Sequence, residues 1–331
     1  MNFEEILGQE ETLKHLTEAL NRDSLPHALL FYGPDGVGKR LTSLAVAKTL
    51  NCQNSDAPDL FYCDKCASCE NINKMIHPDL QFLKPDGNSI TIDSIRNLLN
   101  QINLTPYIGR NKVAIIDEAH TMTTQSANAL LKTLEEPPQK TCIILITPAP
   151  GLLPITLRSR CHTVVFKPLS PEIIHSIISH TISGDKESLR ILSMLADGSA
   201  ARAVTFNDPE ITSLRSKFLQ VLDNREYNTK KFSLFSDKQM ENKEFIIKTI
   251  YIFKAVILDM LFEKFSIIKK VRNIDLAGEI RKTASSIDKL RLWNIIHSLE
   301  FFEHMMKKNA NKRLAQNILI LSLTRENFNL G

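Results

Sequence analysis

The chain has 331 residues, a net charge of +4, 43% hydrophobic and 24% charged residues, which leaves room for two or three ordinary folded domains. No apolar run approaches the roughly 18–20 residues of a membrane span, and Met1–Leu16 is polar and acidic with no secretory core, so a cytoplasmic protein with no membrane partner is expected. The charge is too small to argue by itself for nucleic acid.

In chain order, Ala28-Leu29-Leu30-Phe31-Tyr32 predicts a buried strand running into Gly33-Pro34-Asp35-Gly36-Val37-Gly38-Lys39-Arg40. Leu41, Leu44, Ala45 and Lys48 then fall at helical spacing. The sequence G-x-x-x-x-G-K between a strand and a helix is a phosphate-binding loop. Gly33, Gly36 and Gly38 let backbone N–H groups surround phosphate oxygens, and Lys39 reaches the terminal phosphates. Arg40 stands where a working loop has the Ser or Thr hydroxyl that holds Mg²⁺. A cation there weakens metal–nucleotide binding, while the loop N–H groups, Lys39 and the helix dipole remain for a phosphate. Arg40 is otherwise a solvated cation on a first helical turn.

Cys52, Cys63, Cys66 and Cys69 follow as C-x10-C-x2-C-x2-C. Clustered cysteines in a reducing compartment read as metal ligands, and four thiolates satisfy tetrahedral Zn²⁺ with no position left for substrate. A structural zinc knuckle over about 52–69 is therefore expected. The alternative is four reduced thiols without metal.

Leu80–Leu83 predicts a second strand, and Ile95, Leu98, Leu99 and Ile102 an amphipathic helix. Val113-Ala114-Ile115-Ile116 ends in Asp117-Glu118, which fits a buried parallel strand presenting acids at its C-terminal edge. In a working ATPase such an Asp serves Mg²⁺ and such a Glu the attacking water; otherwise the pair is a solvated helix start. Ala127, Leu130, Leu131 and Leu134 mark a helix that stops before Pro137-Pro138. Ile143–Ile146, with Cys142 as core filler, and Thr163–Phe166 supply the last strands. Between them lies Leu157-Arg158-Ser159-Arg160-Cys161, where an arginine can complete a phosphoryl-transfer site across a subunit interface, though the residues alone read more simply as surface arginines with no such role. Beyond Pro168 only helical patterns remain: one opening at Pro171, one over Leu189–Leu195, and long ones from about 210, among them Phe245–Ile252, Leu258–Phe262, Leu290–Ile296 and Ile318–Leu323.

The expected fold is α/β: a parallel-sheet nucleotide-binding-like domain over 1–168 with the cysteine insertion, a helical domain over 169–209 and an all-helical one over 210–331. These features resemble the AAA+ subunits of the bacterial replicative clamp loader. The resemblance rests on Ile6-Leu7-Gly8-Gln9-Glu10, the four cysteines, Tyr107-Ile108-Gly109-Arg110, Ile115 to His120, Asn128 to Pro138 and Ser159-Arg160-Cys161.

The resemblance implies a lid over 169–209, an oligomerising collar over 210–331, and membership of the DNA polymerase III holoenzyme, a nucleotidyltransferase complex. Two roles exist in that family: an ATP-hydrolysing gamma/tau motor, and a delta-prime subunit with a degenerate loop. Arg40 favours delta-prime. So does Gly198-Ser199-Ala200-Ala201-Arg202, with Ala201 where the motor's Gly-Ser-x-Arg carries its arginine. The delta-prime resemblance implies no hydrolysis of its own and leaves ATP or ADP on the loop in doubt. It makes Arg160 a finger lent in trans and Thr147 a sensor-1 position. It implies motor and delta partners in a hetero-pentamer that places a sliding clamp on primed DNA. The alternatives are an active motor or other AAA+ ATPase, and a zinc-dependent nucleic-acid reader. The cysteine array offers that reader only Lys65, Lys74 and Phe61-Tyr62.

Overall fold

The structure is a computed structural model that describes residues 6–54, 62–223, 235–267, 271–307 and 311–324. Phe61 lies outside them. The chain divides into two compact units, Met1–Ile173 and Ile174–Gly331.

The first unit holds five parallel strands: β1 (Ala28–Tyr32), β2 (Leu80–Leu83), β3 (Lys112–Ile116), β4 (Thr141–Thr147) and β5 (His162–Val165), in the spatial order β2-β3-β4-β1-β5. Its helices are α1 (Glu10–Asn21), α2 (Lys39–Asn51), α3 (Ala67–Asn73), α4 (Ile92–Ile102), α5 (Thr124–Glu135) and the short α6 (Ile155–Arg158). The central strands β3 and β4 are buried along their whole length, with apolar runs over Val113–Ile116 and Cys142–Ile146, because both sheet faces are covered. Ala28, Leu30, Ala114, Ile116, Ile143 and Leu145 share one core with α4 and α5. Their alternates Leu29, Phe31, Val113, Ile115, Ile144 and Ile146 point the other way and are equally buried. Thr91 caps α4 by accepting from Ser94 N–H, and Thr123 caps α5 by accepting from Ser126 N–H.

Because β4 lies between β1 and β3, the loop after β1 and the acids after β3 leave the same sheet edge on either side of Thr147. That edge is where parallel α/β sheets receive ligands.

α7 (Pro171–Ser179) spans the division. The second unit continues with α8 (Lys186–Leu195), α9 (Ala200–Phe206), α10 (Pro209–Asp223), α11 (Asp237–Glu241), α12 (Lys243–Lys264), α13 (Ala277–Ser286), α14 (Lys289–Lys307) and α15 (Lys312–Thr324). Phe218 and Phe253 stack at its centre, ring centroids 4.1 Å apart. Among the described residues no helix is long and apolar enough to cross a membrane.

Candidate functional site: a phosphate loop, a thiol cluster and an exposed arginine

The loop after β1 is closed by two glycines. Gly33 has φ 152°, and a Cβ there would lie 2.2 Å from the Phe166 carbonyl oxygen, so only glycine fits. Gly38, at φ 102°, is the left-handed residue from which α2 starts. The loop and the β3 acids frame a cavity of about 600 Å³ lined by Asp35, Gly36, Gly38, Lys39, Arg40, Asp117, Glu118 and His120, with apolar walls from Leu41, Leu44 and Ile146.

Within it, the buried Lys39 ammonium donates to the carbonyls of Gly33 at 2.5 Å and Pro34 at 2.6 Å, and meets the Asp35 carboxylate at 3.5 Å. Burial pushes its pKa down, and Asp35 and Asp117 push back. The lysine is thus folded onto its own loop, and a phosphate must compete with two carbonyls for it. The Arg40 guanidinium carbon lies 4.8 Å from the Phe82 ring centroid, a cation–π contact with β2. Glu118 sits in the left-handed region at φ 49°, unusual for a side chain of its size. Its N–H donates to Asp117 Oδ1 at 3.0 Å.

Of the expected site residues, Gly36, Gly38, Lys39, Arg40, Asp117 and Glu118 therefore share one cavity. Gly33 shapes the loop without lining it. Thr147 is fully buried, and its hydroxyl accepts from Ala149 N–H at 3.0 Å. Asp35 and His120 line the cavity without having been singled out. His120 Nδ1 is buried with no hydrogen-bond partner among the described residues. Its place in Asp117-Glu118-Ala119-His120, two residues past the acids, was the available signal.

The sulfurs of Cys52, Cys63, Cys66 and Cys69 all lie within 4.8 Å of one another. Tetrahedral Zn–S bonds of about 2.3 Å put sulfurs roughly 3.8 Å apart, so the four fit one zinc ion after small movements. Backbone N–H groups already point at them: Cys63 N to Cys52 Sγ at 3.4 Å, Cys66 N to Cys63 Sγ at 3.3 Å and Cys69 N to Cys66 Sγ at 3.5 Å. Burial pushes the Cys69 thiol up. Burial also works to raise Cys66, but N–H groups of Cys69 and Gln53 bring it down to about 6, toward the thiolate a metal needs. Cys142 lies in β4, wholly buried, and burial pushes its thiol up to about 12, as suits inert core.

The cluster is wired to a neighbouring loop. Ser68 Oγ meets His77 Nε2 at 3.1 Å, and His77 Nδ1 accepts from Asp79 N–H at 3.1 Å. The imidazole is therefore neutral, with its proton on Nε2, and burial pushes its pKa down. The buried Asp79 carboxylate accepts from the N–H groups of Tyr107, Ile108 and Gly109 at 2.7–2.9 Å and pairs with Lys112 at 2.9 Å. Asn51, beside Cys52, accepts from Arg110 and Asn111 N–H at 2.9 Å. The tip this anchors faces solvent, with Tyr107 80% and Ile108 53% exposed.

Arg160 lies just past α6 at the surface. Its Nε donates to Glu135 Oε1 at 2.7 Å, a second guanidinium nitrogen pairs with the same oxygen, and the third donates to Thr156 O at 2.8 Å. In the second unit, Arg202 is spent internally. It donates to Ala196 O at 3.0 Å and to the Tyr251 hydroxyl at 2.5 Å, and lies 4.2 Å from that ring's centroid; Ala201 beside it is exposed.

A five-stranded parallel sheet with a phosphate loop after β1 and acids after β3 defines an AAA+-like P-loop protein. Residues 8–170 match the family described as DNA polymerase III, delta subunit. The chain is 34% identical over 226 residues to DNA polymerase III subunit tau of Bacillus subtilis, covering 67% of this chain and 39% of that protein. It is 38% identical over 209 residues to subunit gamma of Buchnera aphidicola, covering 61% and 56%. It is 34% identical over 216 residues to subunit delta' of Bacillus subtilis, covering 65% and 64%. The chain spans less than two thirds of the length of each of these relatives. It resembles the AAA+ subunits of the DNA polymerase III clamp loader, with delta', gamma and tau all among its relatives.

Proposed function

We propose that the chain works as a delta-prime-type subunit: it hydrolyses no ATP itself and lends Arg160 to the ATP site of an adjacent gamma/tau-type motor subunit. The observation that carries this reading is Arg40. It replaces the Mg²⁺-holding hydroxyl in an otherwise complete loop, and its guanidinium is engaged with Phe82. A loop without that hydroxyl lacks one ligand of the ion that neutralises the transferring phosphoryl group. Two further features agree with it. Ala201 offers no charge where a motor carries arginine, and Arg202 is committed to Tyr251. Arg160, 35% exposed at its side chain, is available to a neighbour.

In this reading Arg160 offsets charge on the group transferred in the neighbour's site, so the chain is catalytic only in trans. Residues 169–209 act as a lid and 210–331 as a collar that joins motor and delta subunits in a hetero-pentamer. Through that complex the chain serves to load a sliding clamp on primed DNA in the cytoplasm. Cys52, Cys63, Cys66 and Cys69 hold a structural zinc ion, which supplies folding energy and no reaction step.

Arg160→Ala in the reconstituted loader tests the reading: DNA-stimulated ATP turnover is expected to fall by about 10³-fold at the finger-dependent site. Unchanged turnover rejects it. A motor reading is favoured by the convergence of Lys39, Asp117 and Glu118 on one cavity. Mg²⁺-dependent hydrolysis by the isolated chain at a motor-like rate would establish it instead.

A further inference from the structure

Arg160 is held in a particular way. Nε donates to Glu135 Oε1, and one terminal nitrogen makes an ion-pair contact with the same oxygen. The other terminal nitrogen donates to Thr156 O at 2.8 Å and reaches Ser159 Oγ only at 3.5 Å. A guanidinium has five N–H donors in a rigid plane. Among the described residues the nitrogen paired with Glu135 has no other polar partner, and the Thr156-bound nitrogen has only the long Ser159 contact besides Thr156. The two terminal nitrogens together form the outer edge of the guanidinium, the fork that matches two phosphate oxygens.

The anchors themselves are fixed. Glu135 is the last residue of α5, and Pro137-Pro138 forbids the helix from continuing. Thr156 and Ser159 belong to α6 and its C-terminal cap. Glu135 has half its side chain in solvent, so the pair contributes little to stability. Its effect lies in geometry.

We infer that Glu135 is a positioning residue for Arg160: it grips the inner edge of the guanidinium and presents the outer edge, already oriented, to a nucleoside triphosphate bound by the adjacent subunit. This rests on the trans-finger reading. A free arginine gives up roughly 2 kcal/mol of rotamer freedom when fixed, so fixing it beforehand is worth up to about 30-fold in turnover at that site.

The test is steady-state ATP turnover by the reconstituted loader on primed DNA, with Glu135→Ala, Glu135→Gln, Arg160→Ala and the Glu135→Ala/Arg160→Ala double variant. Glu135→Ala is expected to lower kcat about 3- to 30-fold with KM for ATP within about twofold. Glu135→Gln, which keeps the accepting oxygen, is expected to restore most of it. The double variant is expected to match Arg160→Ala, because Glu135 acts only through that side chain. Size-exclusion elution with the complex and unchanged melting show that each variant is folded and assembled. If Arg160→Ala lowers turnover and Glu135→Ala leaves or raises it, the positioning inference fails while the finger stands. If Arg160→Ala itself changes nothing, the finger reading fails first and the inference with it.

Discussion

The Arg40 guanidinium lies over the ring of Phe82, 4.8 Å from its centroid, while Lys39 beside it turns back onto the carbonyls of Gly33 and Pro34. Neighbouring cations on one helical turn thus have separate partners. Restoring the hydroxyl by Arg40→Thr gives Mg²⁺ back its ligand. We expect ATP affinity in the presence of Mg²⁺ to rise by about tenfold or more, roughly 1.4 kcal/mol, and affinity in EDTA to change little. Calorimetric titration with and without Mg²⁺ checks this. No gain would mean that the Lys39 contacts keep the loop closed, and not the identity of residue 40.

Arg202 provides a second separation of the two readings. Its bond to Ala196 O, its bond to the Tyr251 hydroxyl and its place over that ring are internal to the helical unit. Tyr251 also donates to Asp197 Oδ2 at 2.9 Å, and Asp197 pairs with Arg272 at 3.0 Å. Arg202→Ala is expected to cost about 2 kcal/mol of stability, from a lost charged hydrogen bond and a lost cation–π contact. It is expected to leave ATP turnover of the loader unchanged at temperatures where the variant is folded. A specific loss of turnover with normal melting would give Arg202 the nucleotide-sensing role that the motor pattern assigns one residue earlier.

Much of the fold was legible because the evidence for it is local. The runs at Ala28, Val113 and Ile143 each became a strand, since short stretches of consecutive apolar residues suit a parallel sheet covered on both faces, and Leu80–Leu83 became the edge strand with Gln81 among its apolar residues. Phosphate loop and acids were legible for the same reason: each is contiguous in sequence. What escaped was long-range pairing between ordinary polar residues. Nothing local ties Asp79 to the amides 28–30 residues on, Arg40 to Phe82, or Arg160 to a glutamate 25 residues back. Thr147 was readable as the end of a strand but not as a hydroxyl turned onto its own loop.

Asp79 gives a pH signature. Burial works to raise its pKa, but three backbone N–H groups and Lys112 outweigh this and hold the carboxyl well below its ordinary value of 3.8. Folded, it resists protonation; unfolded, it protonates near 4. As pH falls below about 4 the unfolded chain takes up the proton first, so this contribution to stability is complete above that pH and lost below it. Asp79→Asn leaves Lys112 buried without its counter-charge and is expected to cost about 3 kcal/mol at pH 7. Urea titrations at pH 7, 5, 4 and 3 check both points: the gap between wild type and variant should be constant above pH 5 and narrow below 4. A gap that widens on acidification would refute the assignment.

Metal removal should be felt beyond the four cysteines. Purified chain is expected to carry about one zinc ion per molecule by atomic emission, and Cys69→Ser to lose it. The contacts from Ser68 through His77 to Asp79, and from Asn51 beside Cys52, end on the amides of Tyr107 to Asn111. Loosening α3 by taking the ion from Cys66 and Cys69 removes the support of His77, and with it the fixed orientation of Asp79. Amide hydrogen exchange over residues 107–111 is therefore expected to rise by about tenfold or more after chelation, while β1 and β4 stay protected. The exposed Tyr107 tip would then owe its order to the metal module, a link that neither segment displays in its own sequence. Unchanged exchange over 107–111 in zinc-free protein would show that Asp79 and Asn51 hold the tip unaided.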